Sequence, residues 1–110
     1  MQGFIRQIVT ASILSFVALV ITVQAQSDAA TIYKAKCALC HSADGSADNQ
    51  TGKSLHAKDL RSEEVQKKTD AELADVITKG NGAMPAFGSA LSPEDVHKLV
   101  GYIRDLSKKK

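Results

Sequence analysis

The chain has 110 residues and a formal net charge of +2, from 14 Lys and Arg against 12 Asp and Glu. This length fits one small domain, and a charge so close to zero gives no indication of a nucleic-acid partner. Only two Cys are present, too few for a structural zinc site built from two spaced ligand pairs.

The N-terminal residues 1–25 have the features of an export signal. Arg6, the one charged side chain among them, precedes a mostly apolar run from Ile8 to Val23, and Ala25 supplies a small residue at the cleavage position. An uncleaved membrane anchor is the alternative. The run is shorter than the roughly 20 residues needed to span a bilayer, and Ser and Thr interrupt it. We therefore predict cleavage after Ala25, export to a bacterial periplasm and a mature domain over residues 26–110.

The first helix is predicted to begin at Asp28, whose carboxylate can cap it, and to run through the segment 37–41. There, two Cys three residues apart are followed at once by His, the C-x-x-C-H pattern of covalent haem attachment. On one helical turn Cys37 and Cys40 share a face, so each sulfur can form a thioether with one haem vinyl group. His41 is then held beside the porphyrin as an axial ligand of the iron.

Other roles for these thiols remain open at this point. A thioredoxin-like dithiol expects a strand–helix–strand setting, and no alternating β-branched run precedes Cys37. A structural zinc site lacks its second ligand pair. A disulfide between Cys37 and Cys40 would close a small, strained ring. Haem attachment is the favoured interpretation.

The segment 42–54 is rich in Gly, Ser, Asp and Asn without apolar periodicity, and we predict a loop there. Leu55 and Leu60 follow as the large apolar side chains able to cover a haem edge. Ser62 can cap a short helical turn that ends at Gln66.

Two longer helices are predicted in the second half of the chain. The first opens with a capping box between Thr69 and Glu72 and ends at Gly80 in the left-handed conformation. The second begins at Ser92, followed by Pro at the first helical position. Its buried face is a stripe at i, i+3, i+4 and i+7 spacing, formed by Val96, Leu99, Val100, Ile103 and Leu106. Strand patterns are not evident, so the fold class is all-α.

The loop 81–88 between these helices contains Met84 and Phe87, apolar side chains that a loop does not normally expose. A thioether is a neutral, soft ligand, and pairing it with His favours ferrous iron and raises its potential. Pro85 biases Met84 toward an extended backbone, which would hold the sulfur steady. Met84 as a filler of a core gap is the alternative. Beside a C-x-x-C-H motif, iron ligation is the favoured role.

Two other histidines are rival axial ligands. His97 lies off the apolar stripe of the last helix, where we expect it to face solvent. His56 lies in a pliable loop and could reach the iron. In the last helix, Gly101 predicts a close backbone approach, with Ala29 of the first helix as its partner.

In this order, the features resemble the class I cytochromes c. The resemblance covers residues 28–106, and the run 83–88 with the short separation of His41 from Met84 is most similar to the small c6, c553 and c551 types. It implies an all-α fold of about four helices around one covalently bound haem c, with crossing terminal helices. It also implies thioethers at Cys37 and Cys40 and axial ligation by His41 and Met84.

Two departures from the family pattern concern the surroundings of the haem. Larger members orient the axial His with a Pro carbonyl, but the prolines here are Pro85 and Pro93, so the partner of His41 is unassigned. No Trp is present to bind a propionate. The remaining candidates for that role are Lys53, Lys58, Arg61 and His56.

The family resemblance implies a monomeric single-electron carrier and not an enzyme, because a six-coordinate iron leaves no position for substrate. Its partners would be a redox-protein donor and acceptor, such as membrane-bound respiratory complexes, with only transient membrane association. Lys34, Lys36, Lys53 and Lys79 either steer an acidic partner or form an ordinary solvated surface. A haem subunit of a periplasmic dehydrogenase or oxidase, and a ligand-sensing or peroxidatic haem protein, are the alternatives.

Overall fold

Six helices follow one another in the computed structural model, which describes residues 28–109. They are α1 (Ala29–Lys36), α2 (Ala38–His41), α3 (Gln50–Ser54), α4 (Glu63–Gln66), α5 (Asp70–Lys79) and α6 (Pro93–Lys108). The prediction of an all-α fold is confirmed. The predicted signal at residues 1–25 lies outside the described residues. Within residues 28–109, no helix is both long and apolar enough to cross a membrane.

Polar side chains at helix starts explain where most of these helices begin. Asp28 Oδ1 accepts a hydrogen bond of 2.7 Å from the Thr31 N–H and so caps α1. At α5 the predicted capping box is present: Glu72 N–H donates to Thr69 Oγ1, and Thr69 N–H donates back to the Glu72 carboxylate at 2.8 Å. Ser62 and Ser92 cap α4 and α6, as predicted, by accepting one hydrogen bond each, from the N–H groups of Val65 and Asp95. These starts follow from local sequence.

The predicted first helix is interrupted at Cys37, which separates α1 from α2. That residue has φ −112° and ψ −38°, yet its N–H donates to the Tyr33 carbonyl at 2.8 Å and its carbonyl accepts from His41 N–H at 3.0 Å. The helix therefore reaches the C-x-x-C-H motif as predicted, but as two helices rather than one.

The predicted loop over 42–54 is wrong at its end, because Gln50–Ser54 forms α3. Asn49 caps this helix, and its only buried residue is Gly52. Polar contacts and close backbone packing hold α3 in place. Because the helix has no apolar stripe, its sequence shows no helical period that would predict it. Together with the interruption at Cys37, this gives six helices where about four were predicted.

The core lies around α6, which packs against α5 and, as the resemblance implies, against α1. The rings of Tyr33 and Tyr102 meet there with centroids 4.9 Å apart. All five residues of the predicted stripe of α6 are buried. The close approach predicted at Gly101 is wrong: Gly101 is exposed, and a Cβ added there would meet nothing within 4 Å. Its position turns away from the buried stripe, so Ala29 is not its partner.

Candidate haem site

A cleft of about 340 Å³ opens between α1, α4, α5, α6 and the loop after α5. This volume falls in the range of about 300–1,000 Å³ that is usual for ligand and cofactor sites. Most of its wall is apolar or aromatic, formed by Tyr33, Leu60, Val65, Leu73, Val76, Ile77, Met84, Phe87, Leu99 and Ile103. Leu60 therefore lies where the sequence predicted it, whereas Leu55 is 46% exposed and is not a lining residue.

Three of the four predicted site residues, from segments more than 40 positions apart, lie on this cleft. Cys37 and His41 line it from the end of α1 and from α2, and Met84 lines it from the loop after α5. Cys40 is half-buried on the same turn as His41, without lining the cleft. The fold thus brings the two predicted axial side chains to one apolar space.

The orientation of His41 has a partner that the sequence did not assign. His41 Nδ1 lies 2.9 Å from the main-chain carbonyl oxygen of Lys58. Because a carbonyl can only accept, Nδ1 carries the proton in this hydrogen bond, and Nε2 keeps its lone pair for a metal. A main-chain carbonyl at Lys58 here takes the role for which the family resemblance had suggested a proline.

The surroundings of the two thiols bear on the rival roles. Both Cys37 and Cys40 are free thiols. Burial raises the pKa of Cys37 to about 11, against a smaller opposing effect of Lys36. A redox-active dithiol needs a lowered pKa to supply its attacking thiolate. Among residues 28–109, no three His, Cys, Asp or Glu side chains gather as a metal site of their own. The raised pKa argues against Cys37 as the attacking thiolate of a redox dithiol.

The loop that carries Met84 is fixed by main-chain hydrogen bonds on both sides. Asn81 N–H donates to the Met84 carbonyl at 3.0 Å, Met84 N–H donates to the Asn81 carbonyl at 2.9 Å, and Phe87 N–H donates to Ile77 at 3.0 Å. Gly80 ends α5 with φ 75° and ψ 176°. The positive φ was predicted, but the extended ψ sends the chain toward Met84 instead of closing a left-handed cap.

Polar side chains occupy part of the cleft wall. Lys58, Glu64, Lys68 and Asn81 are its polar lining residues, apart from His41 and the Tyr33 hydroxyl. Lys58 Nζ and a Glu64 carboxylate oxygen lie 3.1 Å apart, both largely exposed. Sequence reasoning missed Lys68. Its residue type and spacing gave no signal for this position.

The other side chains suggested for propionates do not line the cleft. Arg61 is engaged by Asp59, at 3.1 Å from Nε, and this contact raises the pKa of the guanidinium. Lys53 pairs with Asp48 at 2.9 Å. His56 is exposed. Of the four candidates, Lys58 alone is a lining residue.

The two rival histidine ligands both face solvent. His97 is exposed on α6, as expected, and His56 is exposed with φ 53°. Neither is among the residues that line the cleft. Among the described residues, His41 is therefore the one histidine that lines the cleft.

These side chains fit a covalently bound haem by the chemistry of their donors. Two thiols share one turn, an imidazole is oriented with Nε2 free, a thioether sits in a fixed loop, and the walls are apolar. Thioether attachment with nitrogen and sulfur axial ligands requires this donor set. The arrangement defines the class of c-type cytochromes.

Comparison with known proteins specifies the class further. The chain belongs to the class I cytochrome c family: residues 24–103 match the family model described as "Cytochrome C oxidase, cbb3-type, subunit III". Membership indicates haem c as the cofactor and makes this protein a mono-haem c-type cytochrome, a class of electron carriers.

Curated relatives and a solved structure agree with this assignment. Cytochrome c6 of Microcystis aeruginosa is 39% identical over 79 residues, which cover 69% of this chain and 90% of that protein. Cytochrome c6 of a Picosynechococcus species is 36% identical over 81 residues, covering 69% and 68%. The structure of KustC0563 c-type cytochrome superposes with a TM-score of 0.67 at 30% identity, covering 73% of this chain and 98% of that one.

Proposed function

We propose that this protein is an exported single-electron carrier whose haem c is bound through two thioethers and two axial ligands. The observation that carries the proposal is the convergence of Cys37, His41 and Met84 on one apolar cleft. Cys37 and Cys40 would hold the porphyrin through thioethers. His41 Nε2 and the Met84 sulfur would bind the iron.

When bound, haem supplies a one-electron ferric/ferrous couple. The chain's own residues set the conditions for that couple. The Lys58 carbonyl holds the His41 ring in one orientation, and the main-chain bonds between Asn81 and Met84 hold the thioether in place. Ligands that stay bound in both oxidation states keep the reorganisation small, and they leave no coordination position for a substrate. This favours a carrier over an enzyme.

The polar residues of the cleft suggest how the propionates are held. Lys58 and Lys68 both line the cleft and carry positive charge, and Glu64 lies beside Lys58 at 3.1 Å. A haem carboxylate would compete with Glu64 for the Lys58 ammonium. Lys58 would then have two roles: its main-chain carbonyl would orient His41, and its side-chain ammonium would bind a propionate.

The partners in this proposal are a donor and an acceptor redox protein, among them membrane-bound respiratory complexes that are contacted only transiently by a monomer. Lys53 and Lys79 are engaged in ion pairs with Asp48 at 2.9 Å and Asp75 at 2.7 Å. The exposed Lys34 and Lys36 on α1 are therefore the better candidates for steering an acidic partner. A transfer rate that does not change with salt would contradict steering by these lysines.

Export is part of the same proposal. Cleavage after Ala25 would release residues 26–110 into a bacterial periplasm, where the thiols could receive haem. Intact mass and N-terminal sequencing of the protein from a periplasmic fraction test this, and a mature chain that starts at Gln26 is expected. A chain that retains residues 1–25 in the membrane fraction would contradict cleavage.

The decisive test of the site is replacement of Met84 by Ala in the haem-loaded protein, with His56→Ala as the matched control. We expect Met84→Ala to change the ferric spectrum, lower the potential and open the ferrous iron to carbon monoxide, because a neutral soft ligand is lost. His56→Ala should leave all three unchanged. Unchanged spectra and potential in Met84→Ala would rule Met84 out.

Two further outcomes would redirect the assignment. Carbon monoxide binding to the native ferrous protein at neutral pH would favour a ligand-sensing or peroxidatic haem. Stable co-purification with a catalytic chain would favour a subunit of a dehydrogenase or oxidase. Loss of colour on acid-acetone extraction would contradict covalent attachment altogether.

A further inference from the structure

Two main-chain segments are hydrogen-bonded to each other beside the His41 side chain. They are residues 41–45 and 58–60. His41 Nδ1 donates to the Lys58 carbonyl at 2.9 Å, and the Leu60 N–H donates to the Gly45 carbonyl at 2.8 Å. The carbonyl that orients the His41 ring thus lies two residues before a main-chain bond between the segments. The orientation of the ring therefore depends on the two segments keeping their relative position.

Neither segment has helical hydrogen bonding to fix its shape beyond His41. Residues 42–45 and 58–60 both lie between helices. Ser42, which directly follows His41, has φ 65°, a positive φ that strains any residue with a side chain. Such a conformation persists only where the surrounding contacts impose it. The side chains that contact the two segments from elsewhere therefore decide how firmly His41 is held.

Tyr33 of α1 contacts the first segment. Its hydroxyl donates to the Ser42 carbonyl at 2.7 Å, and the same carbonyl accepts from the Gly45 N–H at 3.2 Å. Tyr33 is 1% exposed, and its ring packs against that of Tyr102. Burial raises the pKa of Tyr33, so the hydroxyl keeps its proton and remains a donor. A side chain fixed in the core thus holds the residue that follows His41.

Gln66, at the end of α4, contacts the second segment. Its Nε2 donates to the Leu60 carbonyl at 2.7 Å and to the Ile103 carbonyl of α6 at 3.2 Å, and its Oε1 accepts from an Arg104 guanidinium nitrogen at 3.3 Å. Since a carbonyl only accepts and a guanidinium only donates, these partners fix which way the amide points. Gln66 is not a lining residue of the cleft, so it acts on His41 through the main chain alone.

We propose that Tyr33 and Gln66 are positioning residues for His41, holding the two segments so that the Lys58 carbonyl keeps its hydrogen bond to Nδ1. A carbonyl that accepts this proton makes the imidazole more basic, and a more basic ligand favours ferric over ferrous iron. The two side chains therefore lower the potential of the couple, although neither is a ligand of the iron. The inference rests on the proposed function, in which His41 is an axial ligand.

Two variants release one segment each, and each has a matched control. Tyr33→Phe removes the hydroxyl and keeps the ring in the core. Its control is Tyr102→Phe, which removes a hydroxyl from the facing ring, outside the lining of the cleft. Gln66→Met keeps the length of the side chain and removes the amide. Its control is Ser92→Ala, which removes the cap of α6, bonded to Asp95 N–H at 3.1 Å, away from both segments.

The wild type and the variants are compared as folded, haem-loaded proteins by NMR and by redox titration. The first readout is exchange of the His41 Nδ1 proton with solvent in the ferrous state. It is divided by exchange of the N–H of Val100, which is 1% exposed, so that a general loss of stability does not mimic the effect. The second readout is the potential. We expect several-fold faster relative exchange and a positive shift of the potential in Tyr33→Phe and in Gln66→Met, and wild-type values in both controls.

Wild-type exchange and potential in Tyr33→Phe or in Gln66→Met would overturn the role of that side chain. An equal change in its control would also overturn it, because any lost hydroxyl or helix cap would then have this effect. A wild-type protein in which the His41 ring protons lack the NMR shifts of an iron-bound imidazole would instead overturn the proposed function. The two failures are therefore distinguishable.

Discussion

Gly80 sets the path of the chain from α5 to Met84. It has φ 75°, and a Cβ there would lie 2.7 Å from the Met84 carbonyl oxygen and 2.8 Å from the Ala86 nitrogen. Neither atom belongs to a flexible side chain, so an alanine must displace the loop itself. Gly82 also has a positive φ, 57°, but nothing lies within 4 Å of its Cβ position. Alanine variants at the two positions therefore distinguish displacement of the loop by a steric clash, expected only at Gly80, from backbone strain, expected at both.

We predict that Gly80→Ala weakens ligation by Met84, whereas Gly82→Ala costs only the strain of about 1–2 kcal/mol of a left-handed residue. The measurements are carbon monoxide binding to the ferrous protein and the ferric spectrum. Both should change in Gly80→Ala and neither in Gly82→Ala. Equal behaviour of the two variants would mean that contact with the Met84 main chain is unimportant.

For single residues, the sequence predicted the features that depend on side chains close together along the chain. The caps at Asp28, Ser62, Thr69 and Ser92 depend on residues three positions away, and all four were found, whereas the cap at Asn49, of the same span, was missed together with α3. The partner of His41 lies 17 positions away and is a main-chain carbonyl. Every residue carries such a carbonyl, so nothing in the residue type marks Lys58 for this role.

Among the helices, α6 is tied to the segment between α4 and α5 by Arg104. Its guanidinium donates to the main-chain carbonyl of Gln66 at 2.8 Å and to the Asp70 carboxylate at 2.9 Å, and it also reaches the carbonyl of Lys68. Lys68 lines the cleft. Arg104 thus satisfies carbonyls at the end of α4 and fixes that wall of the cleft against the last helix.

We predict that Arg104→Met lowers the free energy of unfolding by about 2–3 kcal/mol, since it removes charged hydrogen bonds and leaves carbonyls without partners. Lys108→Met is the control. Its ion pair with Asp105 is 3.3 Å long and largely exposed, and should contribute less than about 1 kcal/mol. Denaturant unfolding of the haem-loaded proteins measures both. A loss in Arg104→Met no larger than in Lys108→Met would contradict this role.

The prediction of helices succeeded where an apolar stripe exists and failed where packing is polar. The stripe of α6 was predicted at every position, because burial imposes the helical period. α3 has one buried residue, Gly52, and is held by Asn49 and by its contact with the turn before it. A period cannot reveal such a helix. The prediction at Gly101 was wrong for the opposite reason: it expected a contact that does not exist, since a glycine in a helix need not mark a close approach.

For the molecule as a whole, the cleft lies next to the hydrophobic core, and several core side chains form its wall. Its wall joins side chains from five of the six helices, all but α3, and from the segments that connect them. The C-x-x-C-H and Met84 motifs predicted the ligands of such a site, but its position depends on how distant segments pack. A domain of this size buries a smaller share of its surface on folding than a larger domain does, so the porphyrin should supply apolar contact that the chain lacks.

We therefore predict that the double variant Cys37→Ala, Cys40→Ala, which cannot bind haem covalently, is less helical and unfolds without a sharp transition. The reason is that the apolar wall of the cleft, with the half-buried Val76, Met84 and Phe87, then faces water or collapses inward. Leu39→Ala is the control, because Leu39 lies between the same cysteines but is 72% exposed. It should keep its haem and unfold cooperatively. Far-ultraviolet circular dichroism against temperature measures all three proteins. A double variant with wild-type helicity and a sharp transition would mean that the chain folds without its cofactor.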